Sequence, residues 1–231
     1  MPDEVRLDWW MEGCRYANIF LPARAEALRP FVDERYAIRG GPGLVSVPTV
    51  HDAYLGYEAF VCDEGSTMNG SVTPLLHGGY FTSVQAPDDV AVEGPNGQYY
   101  RLLNLVADDR LGPMAAQGFP VATGTATFLE PALGDSVRVR LDIEGDGAVE
   151  YAIVGLEDGG ASRGDFFAEY MVGDDRTAVW RSDYTVHTLS SGRAVVAFPE
   201  GTLGAQILGT APVVGTGITG TWDFHDGSIH W

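Results

Sequence analysis

Residues 136–144 alternate apolar with charged side chains over their whole length, and a turn follows them at once. Because successive side chains of a strand point to opposite faces, this period of two predicts a half-buried β-strand. Gly145-Asp146-Gly147 is typical of a tight turn between antiparallel strands. Residues 148–154 are then predicted to return beside the first strand. These residues are therefore predicted to form a β-hairpin. Other parts of the chain must pack against the apolar face of that hairpin.

Short strand-like segments of the same kind recur along the whole chain. They are predicted at residues 14–20, 44–47, 54–62, 99–106, 122–129, 178–186, 194–198 and 220–224. Thirty glycines and 13 prolines separate these segments without forming a linker or a repeat. The pattern predicts one domain over residues 1–231, mainly β, built as an antiparallel β-barrel or double sheet. Closure is favoured because it removes exposed sheet edges.

Helices are predicted to be few and short. Pro22 suits the first turn of a helix, and Ala25, Leu28 and Val32 follow at helical spacing. A second short helix is predicted within residues 108–117, where Gly112-Pro113 limits its length.

The chain contains no lysine, since its 14 basic residues are all arginine. With 32 acidic residues the net charge is −18, so nucleic acid and anionic membranes are not expected as partners. A high-GC genome and a salt-adapted cytoplasm both explain this composition.

Residues 1–10 show no signal-peptide pattern, and no apolar run is long enough to span a membrane. Cys14 and Cys62 are expected to be buried free thiols in a cytoplasmic protein.

Three motifs resemble the acetoacetate decarboxylase superfamily in their order and spacing. The first is RYANIFLPARAEALRPFV, at residues 15–32. The second is Val50-His51-Asp52 followed by Gly56-Tyr57-Glu58. The third is LLNLVADDRLGPMAAQGFPVATG, within residues 99–125. The resemblance covers about half of the chain and implies an acetoacetate decarboxylase-like fold with short helices, and assembly into homo-oligomers.

The third motif departs from the family at the residue that matters most for its chemistry. The family's nucleophilic lysine directly follows the proline of this motif, and here Pro120 is followed by Val121. That lysine forms an imine, which serves as the electron sink. The resemblance therefore implies the family's fold but not its decarboxylase mechanism.

The resemblance implies four candidate site residues: Glu58, Arg15, His51 and Tyr57. Glu58 is expected to project into an enclosed interior beside Tyr57 or Tyr54 and to act as acid or base. Arg15 lies one position from the family's substrate-orienting arginine, and that shift would turn it to the other face of its strand. His51 is either a further acid or base, or part of a polar turn with Asp52.

No metal or cofactor is expected, because the five histidines lack ligand spacing and no phosphate-binding loop occurs. Two functions remain open for an enclosed β architecture. One is a lysine-independent lyase, isomerase or cyclase acting on a small carbonyl or carboxylate compound. The other is a non-catalytic barrel that binds or carries a small molecule, and a purely structural role ranks last. Convergent polar groups would favour the enzyme, and an apolar lining would favour the carrier.

Overall fold

A computed structural model describes residues 6–40, 52–62, 67–68, 71–72, 76–93, 97–106, 112–129, 135–160 and 162–230. The strands are β1 Arg6–Ala23, β2 Ala37–Ile38, β3 Ala53–Val61, β4 Thr67–Met68, β5 Ser71–Val72, β6 Leu76–Gln85, β7 Gln98–Val106, β8 Val121–Phe128, β9 Ser136–Ile143, β10 Gly147–Asp158, β11 Ser162–Val172, β12 Thr177–Val196 and β13 Val213–His230. The helices are α1 Ala25–Leu28, a 3₁₀ turn at Arg29–Phe31, α2 Gly112–Ala115 and α3 Leu203–Leu208.

The pairings between the strands include a closed path. In spatial order they run β7, β11, β12, β13, β1, β3 and β6, and β6 pairs with β7 again. A second path continues from β7 through β8 and β9 to β10, which pairs with the other end of the long strand β12. The fold is therefore a large, mainly β double-sheet architecture in which β7 and β12 belong to both layers.

The predicted hairpin is confirmed, with Gly147 opposite Ile143 and Val154 opposite Ser136. Most of the other predicted strands also lie within observed strands, while residues 44–47 fall outside the described part of the chain. The predicted mainly antiparallel double sheet is confirmed, and two of its pairings are parallel. Strand β7 pairs in parallel with β8 and with β11, which makes the sheet mixed.

The two faces of β1 and β3 pack into two different hydrophobic clusters. Ala17, Ile19 and Leu21 belong to a large outer cluster between the two layers. Tyr16 and Phe20, which point the other way, belong to a second cluster. We call this second cluster the inner cluster, because all seven strands of the closed path contribute to it. Its two other members are Met114, in α2, and Phe119, shortly after α2. The period of two thus decides which side chains reach the interior of the path.

Cys14, in the middle of β1, forms a disulfide with Cys62, which directly follows β3, and this corrects the expectation of free thiols. The next residues along, Arg15 and Val61, are direct cross-strand partners, so the pairing register brings the two cysteines together. Sequence spacing alone does not indicate this contact. A disulfide is uncommon in a reducing cytoplasm, and the cytoplasmic location therefore stays a prediction.

The helices are as few and short as expected. The first follows β1 directly, and its Ala25 backbone N–H donates to the Asp52 carboxylate at 3.1 Å. The second covers Gly112–Ala115, within the range predicted for it. Within the described ranges, no helix is both long enough and apolar enough to cross a membrane.

Candidate active site

A row of directly opposed residues crosses five neighbouring strands. Asn18 lies opposite Glu58, Glu58 opposite Gly79, Gly79 opposite Asn104, and Asn104 opposite Val121. Opposed residues point to the same face of a sheet, and Val121 packs against the inner cluster. The polar side chains of this row therefore face the interior of the closed path.

Glu58 is held in this row by a buried ion-pair network. The side chain of Arg101 is 3% exposed, and its Nη1 group donates to Glu58 Oε1, whose side chain is 4% exposed. On its other side Arg101 donates from Nε to Glu169 Oε2 at 3.1 Å and from Nη2 to Glu169 Oε1 at 2.6 Å. Glu169 retains 16% exposure, so solvent reaches the network on that side. We call these three residues the Arg101 triad.

The bulge in β7 explains how Arg101 reaches the interior. Phe81 pairs with Arg101 and Tyr80 pairs with Leu103, so Leu102 is an extra residue between them. An extra residue of this kind shifts the alternation of the strand. Arg101 and Asn104 consequently point to the same side, although three positions separate them. The Arg101 guanidinium also lies 5.5 Å from the centre of the Phe81 ring.

Two buried amides flank the triad. Asn18 donates from Nδ2 to Glu58 Oε2 at 3.2 Å, and Asn104 donates from Nδ2 to the Met171 sulfur. The amide orientation of Asn18 follows from chemistry, because only its N–H group can bond to a carboxylate. The Oδ1 atoms of both amides are buried without a hydrogen-bond partner among the described residues. Buried acceptors of this kind carry a desolvation cost unless a ligand or water donates to them.

Aromatic side chains form most of the surroundings. Tyr16 stacks on Trp222 with ring centres 4.5 Å apart, and Trp222 stacks on Tyr184 at 5.1 Å. Burial raises the pKa of Tyr16 well above its usual value, and the nearby Tyr99 raises it further. Burial and then Glu169 raise the pKa of Tyr99 in the same way. These phenols therefore stay protonated at neutral pH.

The structure brings only part of the predicted constellation together. Glu58 and Tyr54 face the inner cluster side of β3. Tyr57 points to the opposite face, where it packs against Tyr80 with ring centres 4.4 Å apart. The expectation that Tyr57 joins Glu58 is therefore corrected, because odd and even positions of a strand separate.

Arg15 is corrected for the same reason. Its guanidinium lies 4.3 Å from the centre of the Phe128 ring, on the face of β1 opposite to Tyr16. The single-residue shift seen in the sequence thus turned Arg15 away from Glu58. His51 lies outside the described residues, and its predicted role stays a prediction.

Sequence reasoning missed Arg101 and Glu169 altogether. Strand β11, which carries Glu169, was not predicted, and 68 residues separate the two side chains along the chain. The one available signal was Arg101 itself, the single charged residue of a mostly apolar strand. A lone arginine in such a position more often marks an exposed strand end.

Metal-binding clusters and surface clefts offer no stronger site than the triad. Among the residues that the structure describes, no group of three or more histidine, cysteine or acidic side chains is arranged to hold a metal ion. A cleft of about 480 Å³ lies on the surface between the end of β1, α1 and α3, lined by Arg24, Glu26 and Ile207 among others. None of the triad residues lines this cleft, and its ionisable side chains are not buried.

Solved structures with the same fold are acetoacetate decarboxylases and their relatives. An acetoacetate decarboxylase aligns with a TM-score of 0.60 and 14% identity over 97% of this chain and 89% of that one. The enduracididine biosynthesis enzyme MppR in complex with pyruvate aligns with a TM-score of 0.56 and 14% identity, over 99% and 91%. An acetoacetate decarboxylase-like enzyme from Sphingomonas wittichii RW1 gives a TM-score of 0.53 and 15% identity, over 98% and 91%.

No protein-family model matches the sequence, and no curated protein does so either. The likeness therefore rests on the three-dimensional arrangement and on the motifs at residues 15–32, 50–58 and 99–125. At this level of identity it establishes the fold, as the motifs predicted. This chain has the acetoacetate decarboxylase-like fold.

Proposed function

We propose that this chain is an enzyme that moves a proton on a small carbonyl or carboxylate compound, with Glu58 as the acid–base group. The observation that carries the proposal is the convergence of Glu58, Arg101, Glu169 and Asn18 in the interior of the fold. A carrier needs few ionisable groups in its lining. Polar side chains that hold one carboxylate in a fixed place are what general acid–base catalysis requires.

The proposed chemistry uses no imine. Glu58 removes a proton from the carbon next to the substrate carbonyl, and the electron pair moves to the carbonyl oxygen as an enolate. Arg101 has five N–H donors and gives three of them to the glutamates, so 5 − 3 = 2 remain for that oxygen. Glu58 then returns the proton to another carbon, as an isomerase does, or the enolate expels a leaving group, as a lyase does.

The solved relatives support a small carbonyl ligand. The solved MppR complexes contain pyruvate, or the condensation product of pyruvate and imidazole 4-carboxaldehyde. Those ligands belong to MppR, at 14% identity to this chain. They support a small carbonyl compound as the ligand of this chain. Assembly into homo-oligomers and a cytoplasmic location remain part of the proposal.

Exchange of carbon-bound protons in D₂O tests the proposal whatever the final product of the reaction is. We expect the protein to accelerate the loss of the proton NMR signals next to the carbonyl of 2-hexanone, a neutral ketone. Glu58→Gln should lower that rate by about 100-fold or more. Glu150→Gln is the matched control, because Glu150 is an exposed strand residue that also pairs with an arginine. Equal rates for the Glu58→Gln variant and the unaltered protein would contradict a role for Glu58 as base.

The second candidate is a non-catalytic binding protein. It is favoured by the inner cluster, in which aromatic rings such as Tyr16, Phe60 and Trp222 outnumber the polar side chains. Saturable binding of a ketone with no exchange above the buffer rate would support this alternative over the enzyme.

A further inference from the structure

We propose that the natural ligand of this site carries a protonated amine together with its carbonyl group, and that it does not carry a free carboxylate. The inference rests on the proposed function for the location of the site, at Glu58 and the Arg101 triad. It goes beyond that function because it names the charge and the hydrogen-bonding character of the ligand.

The first argument is the net charge of the Arg101 triad. Arg101 contributes one positive charge, and Glu58 and Glu169 contribute two negative ones, which gives 1 − 2 = −1. All three groups lie close together, and Arg101 and Glu58 are almost fully buried. A buried charge is screened little by water. A ligand carboxylate would be repelled here, and a cation would neutralise the excess charge.

Most donors of Arg101 are already taken by carboxylates. A guanidinium binds a carboxylate best through two parallel N–H groups, and Arg101 gives Nε and Nη2 to Glu169 in this manner. Its Nη1 group also donates to Glu58. One N–H group remains on Nη1 and one on Nη2. They suit a carbonyl oxygen, whereas a ligand carboxylate there would be a third carboxylate around one arginine.

The buried amides give an independent indication of a ligand. Asn18 is 5% exposed and Asn104 is fully buried, and each has an Oδ1 atom without a partner in the described ranges. Both side chains stand in the row that contains Glu58. The open positions of this row are therefore hydrogen-bond acceptors. A ligand with N–H groups satisfies them, whereas a carboxylate would add acceptors to acceptors.

Three ketones of similar length distinguish the effect of the ligand's charge from the effect of its N–H group. They are 5-(dimethylamino)pentan-2-one, which is a cation with one N–H group, its trimethylammonio analogue, which has no N–H group, and 5-oxohexanoate, which is an anion. Isothermal titration calorimetry with the full chain measures their affinities. We expect the first to bind at least about tenfold more tightly than 5-oxohexanoate, and more tightly than the trimethylammonio analogue. Equal or stronger binding of 5-oxohexanoate, or no binding of the protonated amine, would overturn the proposal.

Glu169→Gln supplies the matched change in the protein. It removes one negative charge, so the triad becomes neutral and the preference for the cation should fall by about tenfold. Should that variant fail to fold, as judged by circular dichroism, Glu58→Gln makes the same change in charge. An unchanged preference in a folded variant would count against the triad as the source of selectivity. Since affinity and not turnover is measured, failure of this inference is distinguishable from failure of proton exchange.

Discussion

Arg101 and Glu58 form an ion pair between β7 and β3 in which both side chains are almost completely withdrawn from water. Each side chain of such a pair depends on the other, because a buried charge without a partner of opposite charge strongly destabilises the folded protein. Arg101 neutralises two carboxylates at once, since Glu169 binds its other side. The stability of the interior and the chemistry of Glu58 therefore depend on the same arginine.

Arg101→Gln should destabilise the protein by about 3–5 kcal/mol, because it leaves two carboxylates facing each other in the interior. Urea unfolding followed by tryptophan fluorescence measures the change in the free energy of unfolding. Arg140→Gln is the control, because Arg140 also binds two carboxylates, Asp142 and Glu150, but on the exposed face of β9. Water screens that surface network, so little change is expected there. Equal effects of the two substitutions would contradict the burial argument.

The disulfide between Cys14 and Cys62 should stabilise the fold by restricting the unfolded chain. The two cysteines are 48 residues apart, and chain-entropy arithmetic for such a loop gives about 4 kcal/mol. Reduction, or the double substitution Cys14→Ala with Cys62→Ala, should lower the urea midpoint accordingly. Intact-mass analysis after alkylation checks that the bond was open. A midpoint that does not respond to reduction would show that the bond contributes nothing to stability.

The sequence predicted features that depend on nearby residues, and it missed contacts between residues far apart in the chain. Local alternation sufficed for the β9–β10 hairpin, and three local motifs sufficed for the fold. The placement of Arg15 and Tyr57 required the register of β1 and β3 against their neighbours, which local patterns leave open. Arg101 and Glu169 meet across 68 residues and through a parallel pairing of β7 with β11. The disulfide likewise depends on a cross-strand register that composition does not encode.

Asp223 should make the protein less stable in acid. Burial raises the pKa of its carboxyl, but the backbone N–H of Gly13 and the His187 ring together lower it more, so it lies below its usual value. Gly13 N donates to Asp223 at 2.7 Å, and His187 Nε2 lies 2.6 Å from the carboxylate. A group whose folded-state pKa is lowered adds stability above its unfolded pKa of about 4. That stability is lost as the pH falls through the folded-state pKa.

Asp223→Asn should therefore cost about 1 kcal/mol at pH 6, where charged hydrogen bonds are lost. The cost should begin to shrink as the pH falls below about 4, as at pH 3, because the unfolded state then binds a proton more readily than the folded state does. Urea unfolding of both proteins at the two pH values measures the difference. Asp88→Asn, at an exposed aspartate, should show no such dependence on pH. A cost for Asp223→Asn that stays constant between the two pH values would contradict the assignment.

Val121 should decide whether this interior forms an imine. The unaltered chain has no lysine, so borohydride reduction in the presence of 2-hexanone, a neutral ketone, should add no mass to it apart from reaction at the N-terminal amine. Val121 packs against the inner cluster in the row that contains Glu58. Val121→Lys would place an amine there, and burial lowers the pKa of a lysine amine, which favours its neutral nucleophilic form.

The Val121→Lys variant should consequently gain one reduced 2-hexanone adduct, which peptide mapping by mass spectrometry locates. Val214→Lys is the matched control, because Val214 is an exposed strand residue and its lysine would stay protonated. Equal labelling of both variants would mean that position 121 has no special environment. Labelling of Val121→Lys alone would show that the fold retains the geometry for imine chemistry and that this chain lacks only the amine.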